Sequence, residues 1–135
     1  MKAQLLSTIE NSRAYTLAIA EAMPEDRLNF RPAPTVWSFL ELMNHIAYGV
    51  VWWTENCILK VKTPWDPPAS YKTKADTRKS LQQSFDYLNE VLNAADLDDE
   101  TVHGVFATLD HITHHRGQAT TYLRCNGITP AEYIF

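Results

Sequence analysis

At 135 residues, 45% of them hydrophobic and 21% charged, the chain is long enough for one domain with a sizeable core and is mixed as globular chains are. Sixteen acidic residues against twelve basic ones leave a formal charge of −4 and no basic run, which argues against nucleic acid or an anionic membrane as the main partner. No apolar stretch reaches the ~20 residues of a membrane span, the first residues lack a secretory leader's apolar block, and Cys57 and Cys125 form no CxxC pair. The expectation is a single cytoplasmic domain over residues 1–135.

Leu5, Leu6, Ile9, Leu17, Ala20 and Met23 recur at three- and four-residue steps and predict an amphipathic helix over residues 2–23, stopped by Pro24. An irregular connector, PEDRLNFRPAPTVW, follows. Ser38 and Glu41 then form an S-x-x-E capping box, so a second helix is expected from Phe39 to Lys60. Pro64, Pro67 and Pro68 forbid helix in VKTPWDPPASYK. Leu81, Phe85, Leu88, Leu92 and Ala95 mark a third helix, with Thr73 and Asp76 as a candidate cap. A fourth is expected from Val102 to Asn126, closed by Gly127 in a left-handed C-terminal cap with Pro130 just beyond. Few glycines and no strand pattern make this an all-α chain, a four-helix bundle. About fourteen extended residues reach ~45 Å, whereas a helix of about 22 residues spans ~33 Å. The second connection can therefore cross the whole bundle, and helices 2 and 3 can run parallel.

The fourth helix carries the densest chemistry, three histidines within DHITHHRGQ. With Ile112 set at zero and about 100° per residue, Val105, Leu109, Ala119 and Leu123 fall on one core stripe. His115 comes at about −60° and His111 at about −100°, side by side on its flank, while His114 near −160° faces away. Two imidazoles at i and i+4 can converge on one ion. A third ligand has to come from another helix, and His45 lies at the edge of the second helix's stripe of Leu42, Ile46, Gly49 and Trp53. Three neutral imidazoles suit Zn²⁺ or Ni²⁺ and leave a position open, as catalytic sites do.

Blander readings stand beside this one. An HxxxH pair also arises by chance, and His45 alone is also readable as a hydrogen-bonded histidine at the core's edge. Glu100-x-x-His103 matches half of a di-iron carboxylate motif whose other half is missing. Trp52 and Trp53 read as packing, and Arg116 and Arg124 as solvated side chains.

LNFRPAPTVWSFLELMNHIA (28–47), followed by DHITHHRGQATTYLRCNGITPAEY (110–133), resembles the DinB/YfiT-like superfamily. The shared features are a tryptophan-serine helix start with a histidine seven residues on, then H-x-x-x-H-R-G-Q and a terminal G-x-x-P. The resemblance implies an up-down-down-up four-helix bundle, a homodimer, and a divalent metal held by His45, His111 and His115, with His114 a neighbour that is not a ligand. Relatives are described as metal-dependent hydrolases or as transferases and isomerases using bacillithiol, mycothiol or glutathione. The approach to helix 4, AADLDDETVHGVFATLD, is shorter than in many relatives and lacks their aromatic and basic residues.

A metal-dependent enzyme is therefore expected, with a small-molecule substrate or a low-molecular-weight thiol as partner. Thiol S-transfer to a small electrophile leads, because a metal that deprotonates the sulfur removes the need for a separate base. Hydrolysis by a metal-bound hydroxide is the alternative and needs a base nearby. Glu41, one turn before His45, is the candidate base, although its place in the capping box already gives it a structural role. Gln118 can fix a ligand histidine's tautomer or simply pack. A stress-related metal-binding module without turnover, or a structural homodimer with relic histidines, are the non-enzymatic readings.

Overall fold

The computed structural model describes residues 1–133, in which four helices and no strand are formed: α1 Lys2–Ala22, α2 Phe39–Trp53, α3 Lys74–Ala94 and α4 Asp99–Cys125. The expected all-α class is observed. No helix among the described residues is long and apolar enough to cross a membrane.

Each boundary has a local cause. Met23 is extended because a residue before proline avoids the α region, and α1 stops there. At Ser38 both halves of the expected capping box are present: its hydroxyl accepts from Glu41 N–H at 3.1 Å, and Glu41 Oε2 accepts from Ser38 N–H at 2.7 Å. Thr73 caps α3 through Asp76 N–H as its sequence position suggested. At the far end of α4, Gly127 has φ +71°, and Gly127 N–H and Ile128 N–H reach back to the Arg124 and Leu123 carbonyls, which is a Schellman closure.

Two boundaries differ from expectation. α2 does not continue as α-helix to Lys60; from Thr54 to Ile58 it widens into a π-helical turn, after which Lys60 takes φ 60°. α4 starts three residues before Val102, because Asp98 accepts from Thr101 N–H at 2.7 Å and nucleates the helix ahead of its first apolar residue.

α1 and α2 each pack against both α3 and α4, so α1 and α2 lie across the bundle from one another. Lys2 bonds the Asn93 and Ala95 carbonyls, and Lys74 bonds the Glu21 carbonyl, which sets α1 antiparallel to α3. Asn44 near the start of α2 donates to Thr77 near the start of α3, so those two helices run the same way. Between the four lies a core in which Ile9, Ile19, Ile46, Phe85, Leu88 and Ile112 are inaccessible to solvent. Each such side chain contributes ~1.5–3 kcal/mol by burial.

The crossover from α2 to α3 is laid along α2 by four side chains spaced one turn apart. Asn56 and Trp52 bond Thr63, and Trp52 also bonds the Pro64 carbonyl. Further along, Tyr48 accepts from Asp66 N–H at 3.0 Å and Asn44 accepts from Tyr71 N–H at 2.9 Å. The two cysteines are free, as their spacing implied.

Arg116 departs from the expected solvated role. It is 3% exposed, its guanidinium donates to the Ser12 carbonyl and hydroxyl, and its Cζ lies 4.8 Å from the Tyr15 ring centroid and 5.4 Å from that of Tyr133. Its stem fills the core while its charge is held over two aromatic faces.

Candidate metal centre

α2 and α4 bring His45, His111 and His115 together, each half-buried. His45 Nε2 lies 3.0 Å from His115 Nε2 and 3.1 Å from His111 Nε2. One metal-ligating nitrogen from each ring falls within 4.8 Å of the others. His114 is exposed and stays out of this cluster, its ring 4.8 Å from that of His115.

Hydrogens alone do not satisfy this arrangement. His115 Nδ1–H donates to Gln118 Oε1 at 2.9 Å, which fixes the neutral ring's lone pair on Nε2, facing inward. If His45 Nε2 carries hydrogen it can point along one of its two close contacts. If it carries a lone pair, it faces the lone pair of His115. Protonation is no remedy, because burial holds His45 near a pKa of about 4 and His111 near about 3, with neighbouring imidazoles adding to the shift. Burial also lowers His115, against the opposing bond from Gln118. A cation satisfies all three lone pairs together. A tetrahedral Zn²⁺ site with Zn–N of ~2.0–2.1 Å has N···N edges of ~3.3 Å, close to the two separations found. His111 Nδ1 is buried with no hydrogen-bond partner, so that ring is held by packing.

The packing comes from Gly49 and a set of tryptophans. A Cβ on Gly49 would lie 2.7 Å from His111 Nδ1 and closer still to its Cε1, so the ring occupies the space a side chain would take. The His45 ring has Trp37 at 4.3 Å between centroids and Trp65 at 5.4 Å as neighbours. Trp53 flanks His111 at 5.9 Å. Sequence reasoning named Gly49 and Trp53 only as stripe positions and did not find Trp37 or Trp65 as neighbours of the site. The signal for Trp65 was the i, i+4 run of Asn44, Tyr48, Trp52 and Asn56, which fixes where the crossover lies.

Glu41 lines the same cavity as His45, but its Oε2 takes the Ser38 N–H and Arg31 at 3.1 Å. The Ser38 amide holds its carboxyl below the usual carboxylate range. Glu100 pairs with Lys60, and His103 is exposed.

The DinB superfamily model matches residues 8–119, most of the chain including all three histidines. The chain belongs to this superfamily. Its fold is similar to that of a DinB-like protein from Bacillus cereus, with TM-score 0.81 and 16% identity over 97% of this chain and 95% of that one. The DinB-like protein YjoA from Bacillus subtilis is similar with TM-score 0.71 and 19% identity over 98% and 96%. No curated protein matches the sequence. Within this superfamily, the three histidines are the arrangement on which a functional reading rests.

Proposed function

We propose that this DinB superfamily protein holds one divalent ion, Zn²⁺ or Ni²⁺, on His45, His111 and His115 and transfers a low-molecular-weight thiol to a small electrophile. The observation that carries the reading is the convergence of three Nε2 atoms whose lone pairs no assignment of hydrogens satisfies. When bound, the ion supplies the Lewis acidity that favours the thiolate over the thiol. Three protein donors leave room for that exogenous ligand.

The chain's own residues do the rest. Gln118 keeps the His115 lone pair directed inward. Trp37 and Trp65 pack beside the His45 ring and limit its movement. In the transfer a C–S bond forms, the leaving group departs with its electron pair, and the thiol proton goes to solvent or to that group. Hydrolysis is the weaker reading on a specific ground: Glu41 is the one carboxylate lining the cavity, and it is committed to its cap and to Arg31. A homodimer, on the family resemblance, and a cytoplasmic setting complete the proposal.

The test is spectroscopic. The Co²⁺- or Ni²⁺-substituted protein is titrated with a small thiol, and a new sulfur-to-metal charge-transfer band is expected. A bound ion whose spectrum ignores thiols would overturn thiol transfer and leave a binding module. Failure to bind any divalent ion would overturn the metal reading itself.

A further inference from the structure

Beside the histidines, a cavity of about 450 Å³ opens between α2, α3 and the crossover, a size suited to a small organic molecule. Its walls are Trp37, Trp65, Tyr48 and Tyr71, and His45 is the one member of the triad that lines it. Three of these aromatics are among the most exposed large apolar residues: Trp37 at 46%, Trp65 at 42% and Tyr71 at 52%. They gather at one opening instead of scattering, which marks a binding surface.

No lysine or arginine lines the cavity, and its one formal charge is the Glu41 carboxylate. Arg31 is near but already bonded to Glu41 and to the Val36 carbonyl, and Lys72 acts on Glu41 from outside the lining. With no metal on His45, an anionic ligand would lose its water there without gaining a cation. Hydrogen-bonding capacity is nevertheless present. The Tyr48 oxygen accepts from Asp66 N–H and keeps its own proton to donate, while the Ser80 and Gln83 side chains have no hydrogen-bond partner among the described residues. Asn44 offers little, since both ends of its amide are engaged.

We propose that this cavity binds an uncharged molecule with a flat aromatic body and a carbonyl-type acceptor, held between the aromatic walls and met by Tyr48, Ser80 or Gln83. Its assignment as the site of the electrophile rests on the thiol-transfer reading above; the binding preference itself does not.

Two probes of one shape test it. N-phenyl-1-naphthylamine is uncharged, and 1-anilinonaphthalene-8-sulfonate has the same body with a sulfonate. Each is titrated into the full chain, with and without zinc, and read by probe fluorescence and tryptophan quenching. In the zinc-free protein the neutral probe should bind at least about tenfold more tightly, a gap that a single unpaired buried charge readily produces. Ser80→Phe, which fills the cavity, should weaken it about tenfold or more with zinc content unchanged. Tyr71→Ala, a change at the exposed rim, should weaken it about threefold and decides the matter if Ser80→Phe does not fold. Equal or tighter binding of the sulfonate to the zinc-free protein, no neutral binding, or wild-type affinity in the folded variants would overturn the inference. Zinc content read in the same samples keeps a failed cavity distinct from a failed metal site.

Discussion

The ring of His111 on α4 stands in the place a side chain of residue 49 would occupy on α2. A Cβ added to Gly49 would meet three atoms of that ring, the second nearest at 2.7 Å. The close approach of the two helices at the site therefore depends on one missing methyl group. Gly49→Ala should displace the ring, cost ~1–3 kcal/mol by overpacking, and weaken zinc binding by more than tenfold. Gly117→Ala is the matched control: a Cβ there meets nothing within 4 Å, and on a helix it should raise stability by up to ~1 kcal/mol. Thermal melts and zinc titration of the pair check both.

Ligand identity follows from which rings converge. His45→Ala, His111→Ala and His115→Ala should each lose the bound ion, while His114→Ala, whose exposed ring lies outside the cluster, should keep it. Elemental analysis of tag-free protein settles the comparison. Retention of metal by all three ligand variants would sink the site.

The bond from His115 Nδ1–H to Gln118 gives a directional prediction. Gln118→Ala frees the tautomer and should weaken metal affinity by ~10–100-fold. Gln118→Glu places a full negative charge on the same nitrogen and should strengthen it. Competition with a chromophoric chelator measures both.

Metal-free stability should fall in acid over a defined range. An unfolded histidine titrates at its model value of 6.5, whereas burial depresses His45 to about 4 and His111 to about 3 in the folded chain. Below 6.5 the unfolded state binds protons that the folded state refuses, so stability is lost as pH falls and the loss levels off only below the folded values. Above pH 7 these groups contribute no slope. Denaturant unfolding between pH 8 and pH 4 should show this, and replacing the three histidines with glutamine should flatten it.

Arg116 should prove structural. Its described partners are a carbonyl, hydroxyls and two tyrosine faces. Arg116→Ala removes a buried stem and takes its donor from the Ser12 hydroxyl, while the Ser12 carbonyl keeps the Thr16 hydroxyl, a loss of ~2–4 kcal/mol. Arg116→Lys should recover only part of it, because an ammonium lacks the planar face and forked donors of the guanidinium. Metal content should be unaffected by either.

Much of this was readable in the chain because the signals are local. The caps at Ser38 and Thr73 and the closure at Gly127 each involve residues within a turn of one another. The wheel placed His111 and His115 on a shared flank for the same reason. Arg116 was legible too: four residues beyond Ile112, it comes at about +40°, inside the core stripe, and only its charge argued otherwise. The π-helical turn was not legible, since Thr54 to Ile58 continue the apolar pattern while α4 presses against them. There a Cβ on Gly104 would lie 2.8 Å from the Cys57 carbonyl carbon. The packing of Trp37 and Trp65 beside His45 was out of reach as well, because it joins a connector, a crossover and a helix through tertiary contact alone.

The bonds that hold the crossover to Asn44, Tyr48, Trp52 and Asn56 treat two kinds of sequence change differently. Most of them grip backbone atoms, so many of the crossover's residues can be exchanged without loosening it. Gain or loss of one residue is another matter, because it moves every later backbone group out of step with anchors fixed one helical turn apart. It also carries Trp65 away from His45. Apart from Thr63, Trp65 and Tyr71, residues 63–71 are thus freer in composition than in length, and single-residue deletions there should be far more damaging than substitutions at those other positions.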